Sequence, residues 1–237
     1  MRRTSARTSW SHALLLVAAA TCYAGCVPNK LYNAEPSQYV SQVPVESSVS
    51  AALAIIEFDE FGVFWLRDQL DAAVELVQRR NEDAERGVIV LIHIHGWNHN
   101  ADPDRKKGDL QTFRSQLATL AKELEVEGAP APDRIVGVFL GWRGLSMRPP
   151  IFKEASFWAR KQVASRVASY NIREAYFRLT RAAKERLDSK VVISGHSMGG
   201  LIVARTLGPS LSTMLLSYGA EGIPALTDLV LLQNPAL

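Results

Sequence analysis

Val88-Ile89-Val90-Leu91-Ile92 is an unbroken run of β-branched and aliphatic residues. A strand with one wet face alternates apolar and polar positions, so a run without a polar member fits a strand covered on both faces. Ile135-Val136-Gly137-Val138-Phe139-Leu140 repeats the pattern, Val191-Val192-Ile193 begins a third such strand, and Leu229-Val230-Leu231-Leu232 forms the last. Between them Leu110, Phe113, Leu117, Leu120 and Leu124 recur at helical spacing, a largely helical stretch runs from about Lys153 to Leu187, and another helix starts near Met198. Earlier, Ile55-Ile56-Glu57-Phe58 and Val63-Phe64-Trp65 flank an acidic, glycine-containing turn and are expected to pair antiparallel, before a helix carrying Leu66, Leu70, Val74 and Val77. Strand-helix-strand alternation of this kind predicts an α/β fold with a mostly parallel sheet and flanking helices.

The chain has 237 residues, 47% apolar and 22% charged, which suits one domain with a sizeable core. Its formal charge of +3 is matched by Arg2, Arg3 and Arg7 at the extreme N-terminus. The remainder has no basic surplus, and no nucleic-acid partner is expected. Both cysteines, Cys22 and Cys26, precede the body, which leaves serine, carboxylate and imidazole as its reactive groups.

Residues 1–25 have the layout of a secretory signal, with early arginines, an apolar run from Ala13 to Ala20 and then small residues. Tyr23-Ala24-Gly25-Cys26 follows and resembles the lipobox of bacterial lipoproteins, although an aliphatic residue is usual where Tyr23 stands. The resemblance implies that Cys26 is lipidated and that the protein sits in a bacterial cell envelope, anchored to a membrane. Residues 26–49, with Pro28, Pro36 and Pro44, are expected to be a tether, and residues 50–237 the domain.

Gly195-His196-Ser197-Met198-Gly199-Gly200 lies between a buried strand and a helix. A serine there sits in a sharp turn with its hydroxyl raised above the sheet, and Gly195 and Gly199 let neighbouring backbone approach. His95-Gly96-Trp97-Asn98-His99-Asn100 ends the Val88 strand, so both motifs fall at carboxyl ends of strands, where open parallel sheets bind ligands. With these two motifs, residues from about Ile55 to Pro235 resemble α/β-hydrolases, specifically a poorly characterised bacterial group that carries both. The resemblance implies an esterase- or lipase-like reaction on a small-molecule acyl substrate, without cofactor or metal. Ser197 would attack, and the backbone N–H groups of Trp97 and Met198 would hold the oxyanion.

The family order is serine, acid, then histidine. No histidine follows His196, so the chain is expected to be an incomplete α/β-hydrolase domain lacking the triad acid and base. The alternative is an envelope lipoprotein that uses the pocket for binding or assembly. His99 is the nearest candidate for a substitute base, while His93 and His95 read as core and strand-end residues bonded to backbone. Trp142 and Arg143 fit ordinary packing or a substrate pocket. Residues 147–158 suit a lid or a packed helix, and Asp102, Asp104 and Asp109 belong to a solvated charged loop rather than a metal site.

Overall fold

The computed structural model describes residues 26–46, 50–83, 86–126, 134–147, 153–218 and 227–237. The expected signal at 1–25 and the segment 148–152 of the expected lid lie outside them. In chain order the elements are α1 (Pro36–Tyr39), β1 (Val40–Val43), β2 (Ala51–Glu57), α2 (Arg67–Asp83), β3 (Ile89–Ile94), α3 (Asp109–Val126), β4 (Ile135–Gly141), α4 (Lys153–Val167), α5 (Ile172–Lys184), β5 (Lys190–His196), α6 (Met198–Tyr218) and β6 (Leu229–Gln233).

The strands form a six-stranded sheet in the order β1-β2-β4-β3-β5-β6. Only β1 runs antiparallel to its neighbour. The unbroken apolar runs are explained by their surroundings: every residue of β2 and β4 is buried. Leu53, Ile55, Ile135 and Phe139 face α3 through Leu110, Phe113 and Leu117. Ala54, Ile56, Val136, Val138 and Leu140 share the opposite core with residues of α2, α4, α5 and α6. The fold is therefore α/β, with a mostly parallel sheet between helices.

Connectivity decides where a ligand could enter. From β3 the chain passes through α3 to β4 on one side, whereas from β5 it passes through α6 to β6 on the other. β3 and β5 are adjacent, so their carboxyl ends open a crevice at the point where the winding reverses.

Two expectations need correction. The Ile55 and Val63 segments do pair antiparallel, with Asp59 N on Val63 O and Trp65 N on Glu57 O, but the pairing is confined to the Phe58–Phe64 bridge and the second segment is not a strand; Asp59 accepts the amides of Phe61 and Val63 and tightens the turn between them. Residues 26–46 are not a free tether. Val27 is only 3% exposed, α1 and β1 extend the fold, and Tyr39 and Val43 are buried. The physical cause is Glu57, a buried carboxylate at the end of β2, which needs donors. It receives the backbone N–H groups of Tyr32 and Asn33 and the side-chain amide of Asn33, at 2.8–3.1 Å. Burial nevertheless outweighs these bonds and holds its pKa above the ordinary carboxylate value.

Candidate active site

Ser197 is the single residue between the end of β5 and the start of α6, and its φ is 52°. A non-glycine residue in this left-handed region carries about 1–3 kcal/mol of strain and persists only where its surroundings impose it. Here the Ser197 N–H donates to Gln233 O at 2.9 Å, and its carbonyl accepts from Leu201 N at 3.2 Å and Ala236 N at 3.0 Å. The turn is also wedged against β3. A Cβ on Gly199 would lie 2.2 Å from Ile94 O, and one on Gly195 would lie 2.5 Å from Gly199 O. Any larger residue at either position would push the turn away from the sheet.

Folding brings the two sequence motifs together. A Cβ placed on Gly96 would stand 3.1 Å from the Ser197 Cβ, so the His95–Asn100 loop runs directly beside the serine. That loop is held from several sides. Asn98, with φ 69°, donates its N–H to Gly144 O at 3.0 Å, and Leu145 N donates to His99 O at 2.8 Å. Gly96 N donates to the Asp109 carboxylate at 3.3 Å. Trp97 carries the first of the expected oxyanion amides. Met198, which carries the second, is the first residue of α6, and amides in the first turn of a helix have no partner within it. A helix N-terminus also favours developing negative charge.

The histidines are arranged less favourably for catalysis. His95 is fully buried: its Nε2 accepts from Trp142 N at 3.0 Å, so the proton sits on Nδ1, which donates to Gly96 O at 2.9 Å. The indole of Trp142 stacks on this ring and donates to His95 O. Burial pushes the His95 pKa down to about 4, so the ring is a neutral brace at ordinary pH. His93 bonds the Ser194 hydroxyl through Nδ1 at 2.9 Å, rather than backbone, and stacks on Phe113. Burial also holds it near 4, with the Asp109 charge opposing and His196 assisting.

Both ring nitrogens of His99 face Asp109: Nδ1 accepts its N–H at 3.3 Å and Nε2 lies 3.4 Å from its carboxylate. His99 is thus committed to the start of α3, which weakens its case as the serine's base. His196 is exposed and lines a cleft of about 210 Å³ with His93, Asp109, Gln116 and Gln233.

Other side chains settle into structural roles. Arg143 and Arg160 both bind Glu60, and together they outweigh the burial that pushes the Glu60 carboxyl up, so its pKa falls below the ordinary value. Trp97 donates its indole N–H to Ser156 Oγ at 3.3 Å and meets Phe157 edge to face at 5.2 Å. Among the described residues no group of histidine, cysteine, aspartate and glutamate could hold a metal ion. Sequence reading missed the Asp109 brace, although an acidic residue opening an amphipathic helix is the available signal for such a cap. It also missed Glu57, whose partners come from a segment that looked like linker.

No protein-family model matches the chain, and neither the curated proteins nor the solved structures contain a match.

Proposed function

We propose that the protein is a serine hydrolase of the esterase or lipase kind, similar to α/β-hydrolases, exported to the cell envelope and anchored through Cys26. The observation that carries this reading is Ser197 in a left-handed turn between β5 and α6, pressed against the Gly96–Trp97 loop at the winding reversal. Ser197 Oγ would attack an acyl carbonyl, and the amides of Trp97 and Met198 would stabilise the resulting oxyanion. Collapse of that intermediate would break the ester C–O bond, release the alcohol carrying the proton given up by Ser197 Oγ and leave an acyl-serine, which water then cleaves to the free acid and the restored serine.

A second reading has its own support. His93, His95 and His99 are tied to Ser194, to Gly96 and Trp142, and to Asp109, an arrangement that suits a scaffold retained for binding. A fluorophosphonate probe separates the two. Labelling of the folded full-length protein that disappears in Ser197→Ala supports the hydrolase; absence of labelling in folded protein favours the envelope binding protein.

A further inference from the structure

Resting on the hydrolase and lipoprotein readings above, we infer that the surface carrying Cys26, Met147 and Trp158 lies against the bilayer, so that Ser197 opens toward it. The substrate class is then an acyl ester of a membrane-resident lipid rather than a diffusible ester.

The N-terminal segment has no slack. A flexible linker of the 24 residues 26–49 would let a domain wander by roughly 5–6 Å times the square root of its length. Instead, exposed Cys26 pairs with Met147, and Val27 is buried, with its N–H on Ser146 O at 2.9 Å and its carbonyl on the Arg143 guanidinium. A lipid on Cys26, or an apolar leader still attached to it, therefore emerges from a fixed point on the fold.

That point lies on the site's edge of the sheet. Residues 142–147 leave the carboxyl end of β4, just as the His95–Asn100 loop leaves β3 and Ser197 leaves β5, and these strands are parallel. The segment that holds Cys26 bonds directly to the loop beside the serine, through Leu145 N to His99 O and Asn98 N to Gly144 O. From α4, Trp158 is 69% exposed and sits edge to face on Phe157, which packs in turn on Trp97 of that loop. An exposed tryptophan at such a lip suits the headgroup level of a membrane, where one end of the ring is wet and the other apolar. Exposed Lys30, its ammonium over the Tyr32 ring, lines a crevice with Asn100, Trp142 and Arg143 and adds a cation beside the segment that holds Val27, where anionic headgroups would meet it.

The test uses full-length protein, isolated from membranes with its anchor and reconstituted in phosphatidylethanolamine–phosphatidylglycerol vesicles with brominated acyl chains. Tryptophan fluorescence should be quenched, and Trp158→Phe should remove most of the quenched component. A flexible Gly-Ser spacer between Cys26 and Val27 should abolish quenching. It should also lower hydrolysis of vesicle phospholipid roughly tenfold, through lost effective concentration, while a soluble p-nitrophenyl ester is cleaved as before. Absence of Trp158 quenching in the anchored wild-type protein overturns the orientation. Quenching together with turnover of the soluble ester but not of vesicle lipid overturns the substrate class. Quenching with no Ser197-dependent hydrolysis of either substrate upholds the orientation and removes the hydrolase reading.

Discussion

Ser197 occupies a conformation that glycine tolerates better, so Ser197→Gly should relieve strain and stabilise the fold by about 1 kcal/mol after the greater unfolded-state entropy of glycine is counted. Ser197→Ala should leave the strain in place, and a comparison of thermal midpoints checks the difference. His93 and His95 make a pH prediction. Each has a folded pKa near 4 against an ordinary 6.5, so the unfolded chain binds more protons between those values. Their contribution is complete above about pH 6.5 and falls away as pH drops toward 4, by at most about 3 kcal/mol for either ring. Urea midpoints measured from pH 7 to 4 should therefore decline less steeply for His93→Gln than for wild type. Glu57, with its raised pKa, acts in the opposite sense above the ordinary carboxylate value, and the difference between variant and wild type isolates the histidine.

At the scale of elements, the N-terminal segment is joined to the body by polar bonds rather than by area alone. Asn33 Nδ2 bridges Glu57 and Ala101 O, Gln69 bonds Glu57 N and Asn33 O, and Asn100 Nδ2 donates to the Tyr32 hydroxyl at 2.7 Å. Glu57→Ala would take the acceptor from the backbone N–H groups of Tyr32 and Asn33 and one of the two bonds from Asn33 Nδ2, at a cost of about 3 kcal/mol. Its expected signature is local: rapid proteolytic cleavage within 26–46 while the remaining sheet stays protected. Faster hydrogen exchange in the 95–101 loop should accompany it, because Asn33 and Tyr32 also brace that loop.

At the scale of the whole molecule, the sheet ends on β6 among the described residues, with Leu229, Leu231 and Leu232 each at least 40% exposed. An apolar edge strand offers unpaired backbone to another chain. A polypeptide of residues 1–237 should therefore associate as its concentration rises, and Leu231→Lys in it should shift sedimentation toward the monomer without loss of helical signal. No helix among the described residues is long and apolar enough to cross a membrane.

Much of this architecture was legible from residue order. Unbroken aliphatic runs, amphipathic spacing and a glycine-flanked serine are local patterns, and local patterns state which faces must be buried and where a turn must be tight. Gly195, Ser197 and Gly199 were nameable as a tight turn for that reason, whereas Trp97 and Met198 were named only through the resemblance to α/β-hydrolases. Pairings between distant residues have no local signature. Glu57 draws Tyr32 and Asn33 onto the body, Asp109 holds both nitrogens of His99, and Trp142 fixes the tautomer of His95. A polar residue in a proline-bearing stretch looks solvated until a buried charge elsewhere requires its N–H. The expected tether was decided by that requirement, which exists only once the sheet has closed over Glu57.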